Sequence, residues 1–250
     1  MISIQNIHKS FGTQKVINGI DLEIKDGMIT SIVGPSGVGK SVTLKLILGI
    51  YEVDSGQILI NKQSITNCKT EEERNKIREK LGVLFQSAAL FDSLTIYDNV
   101  KFNLINRKTV PKSEIHEKVI DILKKLSLIK FMNKFPEEVS IGIRKRAGMA
   151  RALITEPNIL LFDEPNTGLD PIVGQEVYDL IKECHKEWKF AGVVISHELP
   201  EVFQVSDNVA MIYGGKIIYQ GTPQQMINEQ EDKRVKQFLN GEIDGPIKIN

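Results

Sequence analysis

Gly34-Pro35-Ser36-Gly37-Val38-Gly39-Lys40-Ser41 follows the pattern G-x-x-x-x-G-K-[ST]. Glycines carry no Cβ, so the backbone N–H groups of such a loop can turn inward and wrap phosphate oxygens. A helix opening at Ser41 and Val42 would present its positive N-terminal end to the same anion. Lys40 would then reach the β- and γ-phosphates of ATP, and Ser41 would place its hydroxyl on Mg²⁺. A second candidate stands at Ile159-Leu160-Leu161-Phe162-Asp163-Glu164, where two carboxylates close an apolar run. Ligands of α/β sheets bind beyond the carboxyl ends of the strands. Asp163 suits a Mg²⁺ ion, held directly or through water, and Glu164 suits the polarisation of an attacking water.

These residues need strands to hold them. Met28–Val33 reads as an apolar strand running into the glycine loop, with a helix over Ser41–Ile50 behind it. Before it, Ile2-Ser3-Ile4-Gln5-Asn6-Ile7 and Gly19–Ile24 alternate apolar and polar residues as half-buried strands do, the second stopping at a Lys25-Asp26-Gly27 turn. Asp54-Ser55-Gly56 reads as a turn before a short strand at Gln57–Ile60, and Thr70–Lys80 as a solvated helix. Leu81–Gln86 and Val193–Ser196 read as buried strands. Apolar residues at 115, 119, 122, 123, 126 and 129 predict a helix over Ser113–Lys130. Pro171–Lys189 predicts another, with Asp170 as N-cap, Pro171 in its first turn and Cys184 in its apolar face. Val209–Tyr213 and Lys216–Tyr219 predict a hairpin across Gly214-Gly215, and Thr222-Pro223-Gln224-Gln225 a capping box. Buried strands alternating with helices make an α/β fold with parallel strands.

Composition sets the wider limits. The chain has 250 residues, 41% hydrophobic and 26% charged, with 32 basic and 32 acidic side chains. A net charge of zero argues against nonspecific binding of nucleic acid. Cys68 and Cys184 form no CxxC pattern, as expected of a reduced compartment. The first residues do not read as a signal peptide, and no apolar run approaches the ~18 residues of a membrane span.

The ordered set of motifs resembles the ATP-binding cassette (ABC) ATPases over nearly the whole chain. The resemblance implies a P-loop NTPase fold with a RecA-like core, an N-terminal antiparallel β subdomain and a helical subdomain inserted at about 90–155. Gln86 matches the family's glutamine loop, which contacts Mg²⁺ and adjoins the membrane partner. Asn166-Thr167-Gly168-Leu169-Asp170 matches the loop that crosses the dimer interface. His197 matches the switch histidine at the γ-phosphate, and Phe11 the ring that stacks on adenine. His8, His116 and His185 match nothing and read as structural or solvated.

The family's signature, Leu-Ser-Gly-Gly-Gln, appears here as Val139-Ser140-Ile141-Gly142-Ile143. Ser140 and Gly142 are kept and are expected to cap the ATP of a second copy. Ile141 brings bulk and restricted φ to a glycine position, which is expected to affect turnover more than binding. The resemblance therefore implies a head-to-tail homodimer with two ATP molecules between its subunits.

Residues 85–100, the Arg144-Lys145-Arg146 run and the tail Val235–Ile247 resemble the ATPases of Mla-type, MCE-linked phospholipid transport. That implies two membrane permease subunits as partners, an MCE-type lipid-binding component acting indirectly, and a peripheral place on the cytoplasmic face of the inner membrane. Residues 1–228 are expected to form the ATPase domain and 229–250 an extension that contacts a partner or the second copy. The alternatives are the ATPase of another ABC importer and a soluble ABC protein outside transport. One cassette, without coiled-coil or zinc insertions, speaks against the translation and DNA-repair members.

Overall fold

Alternating residues at the N-terminus form an antiparallel ladder. In the computed structural model, which describes residues 1–107, 110–228 and 231–248, β1 (Ile2–Phe11) pairs with β2 (Gln14–Ile24), Ile2 opposite Ile24. The polypeptide continues through β3 (Ile29–Val33), α1 (Lys40–Ile47), β4 (Ser55–Ile60), β5 (Gln63–Ser64) and α2 (Glu71–Arg78). It then makes β6 (Leu81–Leu84), α3 (Ile96–Arg107), α4 (Lys112–Lys125), α5 (Ile141–Leu153), β7 (Ile159–Asp163) and α6 (Pro171–Trp188). The last elements are β8 (Ala191–Ser196), β9 (Asn208–Tyr213), β10 (Lys216–Gly221), α7 (Pro223–Asn228) and α8 (Lys233–Asn240).

The chain divides into two compact units, Met1–Arg78 with Lys189–Asn250, and Glu79–Trp188. The first holds an antiparallel sheet of order β2-β1-β4-β5. It also holds β3 running parallel between β8 and β9, with β10 returning antiparallel on β9. Every residue of β3 and β8 is buried, as expected of parallel strands covered on both faces. The second unit holds β6 parallel to β7, with α3, α4 and α5 falling between them in sequence. The helical stretch expected at 90–155 is this one; residues 108 and 109 of it lie outside the described residues.

Local expectations held where the signal was chemical. Gln225 N donates to Thr222 Oγ1 at 3.2 Å and Thr222 N to Gln225 Oε1 at 3.0 Å, which is the capping box. Asp170 Oδ1 accepts from the N–H groups of Ile172 and Val173, both at 3.1 Å, and so caps α6.

Two expectations are corrected, and one element is added. Ser55 and Gly56 belong to β4 rather than to a turn. Gly56 has φ 87°, and a Cβ there would lie 2.2 Å from Asn6 O, so only glycine lets β4 pass β1 at that point. The helix expected to reach Lys130 stops at Lys125, because Ser127 turns left-handed with φ 58°. The polar tail forms α8, capped by Asp232 at its start and Gly241 at its end. Residues 229, 230, 249 and 250 of the expected extension lie outside the described residues.

Cys184 is 1% exposed, and burial pushes its thiol up to about 12. Its thiolate fraction at pH 8 is then on the order of one in ten thousand. Cys68 is half-buried, with its thiol donating to Ser64 O. Titration with a thiol reagent at pH 8 is expected to label one cysteine in the native protein and both after denaturation. Two rapidly reacting thiols in the native state would contradict this core.

Candidate functional site

In the first unit, Val33 pairs with Ser196 across the parallel β3–β8 ladder. Gly34 and His197 therefore leave adjacent strands at the same carboxyl edge. Gly34 takes φ 147°, and a Cβ on it would lie 2.4 Å from Ile212 O. Gly39 takes φ 104°, and a Cβ on it would meet Ile17 Cδ1 at 2.9 Å. Side chains are excluded from both ends of the loop, so its backbone is the surface it presents. Lys40 is 4% exposed, and its Nζ donates to Gly34 O and Pro35 O at 2.8 Å each, folding the ammonium over the loop. No side chain caps the N-terminus of α1. A cradle of turned amides, a buried ammonium and an uncapped helix start fit a polyphosphate.

Pro35–Val38 and His197 line a cavity of about 940 Å³ in this unit. Its other wall is the tail, including Phe238, Ile243 and Ile247. Gln237, 4% exposed, fixes that wall: its Nε2 donates to Ile247 O at 3.1 Å, and its Oε1 accepts from Ile247 N at 2.7 Å. Phe11 is 42% exposed and stands edge-on to Tyr51, with ring centroids 5.3 Å apart.

The second unit repeats the edge-sharing arrangement. Leu84 pairs with Phe162 across β6 and β7, so the chain beyond each strand emerges on one side, with Gln86 on one strand's exit and Asp163-Glu164 on the other's. Glu164 is left-handed, with φ 46°, an unfavourable conformation for a non-glycine residue. Its Oε2 accepts from Thr167 Oγ1 at 3.2 Å. Asn166, 3% exposed, accepts from the Tyr178 hydroxyl at 2.9 Å, which ties the following loop to α6.

Ser140 is the N-cap of α5, its Oγ accepting from Ile143 N at 3.4 Å. Ile141 is the first residue of that helix and takes helical backbone angles, so glycine's conformational freedom is not needed there. Its side chain is 40% exposed. A Cβ on Gly142 would lie in ordinary contact with Val173 Cγ1 at 3.9 Å and with Glu176 Oε2 and Ser140 Oγ at 4.0 Å, so the unit itself does not require glycine there.

Three residues that sequence reasoning missed hold the chain beyond β6. Lys145 donates from Nζ to Gln86 O, and Arg151 donates to Ala88 O at 2.7 Å and Ala89 O at 2.6 Å. Asn99, fully buried, donates to the carbonyls of Phe91, Leu94 and Thr95 and accepts from Phe91 N. Burial lowers the Lys145 ammonium to about 8. The signal was present as Lys145, Gly148 and Arg151, three apart on one helix, in a stretch whose Arg144-Lys145-Arg146 run was matched only to the Mla-type ATPases.

Glycine loop, buried parallel strands and acidic strand end define a P-loop nucleotide-binding protein. Residues 17–167 match the ABC transporter family, and the chain belongs to that family. It is 36% identical to the intermembrane phospholipid transport system ATP-binding protein MlaF of Haemophilus influenzae, over 100% of this chain and 94% of that protein. It is 37% identical to the probable ribonucleotide transport ATP-binding protein mkl of Mycobacterium leprae, over 98% of this chain and 70% of that one. Among solved structures, CbiO1 of Clostridium perfringens, part of the ABC transporter complex CbiONQ, superposes with a TM-score of 0.84 at 31% identity, covering 91% of this chain and 90% of its own. The ATP-binding cassette MJ0796, a dimer bound to ADP and Pi, superposes with a TM-score of 0.79 at 28% identity, covering 89% of this chain and 99% of its own. The ABC ATPase fold expected from the motifs is the fold of this chain.

Replacing Ile141 by glycine removes a half-exposed side chain from the first turn of α5 without relieving any backbone strain. Steady-state turnover is expected to change at least threefold, with nucleotide affinity held within about twofold, because a contact made only during turnover moves kcat alone. Equal ATPase rates in variant and parent would contradict a role for this side chain.

Proposed function

We propose that this chain is the ATP-hydrolysing subunit of a membrane transporter that moves phospholipid. The observation that carries the reading is likeness to MlaF along the entire chain, together with a phosphate cradle intact in every residue of its pattern. The name borne by the mycobacterial relative, ribonucleotide transport, marks the competing cargo.

The proposed roles follow from the chemistry of each side chain. The amides of Gly34–Ser41 and the Lys40 ammonium bind the phosphates of ATP, and Val42 continues the helix start that faces them. Phe11 offers a ring face for adenine. Ser41, Gln86 and Asp163 supply oxygen ligands for Mg²⁺, which neutralises phosphate charge when bound. Glu164 accepts the proton of the attacking water, and Thr167 holds one of its oxygens. His197 donates towards the γ-phosphate. Ser140 and Gly142 serve the nucleotide of a second copy: Ser140 caps the helix N-terminus, and Gly142 adds no side chain to the first turn behind it. Asp170 spends one carboxylate oxygen on its helix and keeps the other for the interface.

A homodimer closed by two ATP molecules is the working form, in keeping with the dimeric cassette that MJ0796 forms with ADP and Pi. Among the described residues no helix is long and apolar enough to cross a membrane. Likeness to MlaF supports placing the chain at the cytoplasmic face of the membrane, bound to permease subunits, with residues 229–250 as the extension available to a partner or the second copy.

Glu164→Gln keeps the geometry and removes the base, so saturating Mg-ATP is expected to convert the variant to a stable dimer in sedimentation. A variant that remains monomeric would refute the ATP-closed pair. Phe91, 43% exposed and packed on Phe102 with ring centroids 4.6 Å apart, stands in the loop assigned to the permease. Phe91→Glu is expected to leave basal ATPase within about twofold, since Phe91 touches no proposed nucleotide ligand. Lipid movement by the reconstituted transporter is expected to fall at least tenfold. Unchanged lipid movement would refute the placement. Purification of the intact complex from membranes and analysis of its bound molecule decides between phospholipid and nucleotide cargo.

A further inference from the structure

The stretch 86–95 between β6 and α3 has no regular structure, yet its carbonyls are taken up by side chains. Ala88 and Ala89 are left-handed, with φ 61° and 45°, and the carbonyls of both are held by Arg151. Asn99 satisfies the carbonyls of Phe91, Leu94 and Thr95. Lys145 takes the carbonyl of Gln86 itself.

The donors from α5 lie on one stripe. Between Lys145 and Arg151 sits Gly148, where a Cβ would lie 2.8 Å from Leu84 Cδ1 and 3.0 Å from Ala88 Cβ. The helix thus rests directly on the loop. Lys145 is 1% exposed and Arg151 8% exposed. Burying a cation is costly unless its donors are well satisfied, and carbonyl dipoles are the partners both cations use here. The Gln86 side chain, by contrast, is exposed. Its main chain is fixed while its amide is presented outward.

We propose that Lys145 is a positioning residue for Gln86, holding that backbone so the amide meets Mg²⁺ and water in one geometry. The inference rests on the reading of Gln86 as a magnesium-contacting residue. It also joins two functional groups mechanically, because Lys145 stands on the helix that Ser140 caps, little more than one turn along. A shift of the signature end of α5 drags Gln86 with it. Binding at the signature and alignment at the glutamine are then one event rather than two.

The test is a double-mutant cycle in the full chain, with ATPase kcat, KM for ATP and melting temperature measured for each variant. Lys145→Met keeps the stem and removes the donor. It is expected to lower kcat about tenfold, the size of one lost charge-assisted hydrogen bond, with KM for ATP within about twofold. Lys145→Arg, which keeps a cationic donor, is expected to restore at least half of the parent kcat. In a Gln86→Ala background, Lys145→Met is expected to lower kcat by less than twofold further, since no amide remains to be aimed. A full additional tenfold loss in that background would make Lys145 a structural brace alone and overturn the proposal. So would parent kcat in Lys145→Met when Gln86→Ala is impaired. Parent kcat in Gln86→Ala would overturn the reading of Gln86 and the proposal together. Should Lys145→Met fail to fold, Lys145→Leu, which likewise carries no donor, takes its place in the same cycle.

Discussion

Parallel strands paired in register release their chains at the same edge of a sheet. Val33 stands opposite Ser196, so the phosphate loop and His197 leave β3 and β8 together. Leu84 stands opposite Phe162, so the glutamine turn and the acidic pair leave β6 and β7 on one side as well. A slip of one residue in either ladder would carry one member of each pair away by about 3.3 Å. In the first ladder such a slip of β3 would also break the hydrogen bond between the buried Ser31 hydroxyl and the Ser206 hydroxyl, 2.6 Å apart. The register of the strands is thus the condition for the chemistry at their ends, not a background to it.

What could be read from the sequence was what local chemistry dictates. The phosphate loop, the acid pair after an apolar run, the cap at Asp170 and the capping box at Thr222 each lie within a few consecutive residues. Their geometry follows from residue type. Ser55 and Gly56 misled because a glycine that permits strand crossing looks, in one dimension, like a glycine that makes a turn. The close approach to Asn6 exists only once β1 and β4 pair. The helix end at Ser127 was hidden for a similar reason: Leu126 and Ile129 continue the apolar spacing, but Leu126 is buried while Ile129, beyond the left-handed Ser127, is exposed. The tail helix had its caps, Asp232 and Gly241, in plain view. Only Val235 and Gln237 are buried along it, so no apolar stripe announces the helix between them.

The altered signature shows how backbone geometry separates two effects that sequence joins. Isoleucine in place of glycine suggests both strain and bulk. Position 141 opens a helix behind an N-cap, where the backbone angles suit any residue, so strain drops out. Bulk remains, and it points outward, 40% exposed, from the end of the helix that Ser140 caps. The phosphate loop lies in the other unit. In the proposed assignment, nucleotide binding falls to the phosphate loop and the closing of a second copy to the start of α5, and the departure from the family pattern lies in the second.

Irregular backbone at a catalytic edge raises a problem that regular strands do not have. Its carbonyls find no ladder partner, and burying them unpaired is costly. The chain meets this with cations. Lys40 takes two carbonyls of the phosphate loop, Arg151 takes two of the turn after β6, and Lys145 takes the one before them. A carboxylate could hold the same ammonium, but it would cancel the charge; a carbonyl dipole holds it and leaves the positive potential in place. Burial is the only cause that lowers the ammonium of Lys145 and the guanidinium of Arg151. Shaping a loop and keeping its surroundings positive are therefore done by the same side chains. A substitution that keeps a donor to the Gln86 carbonyl while removing the charge separates the two, which Lys145→Gln does.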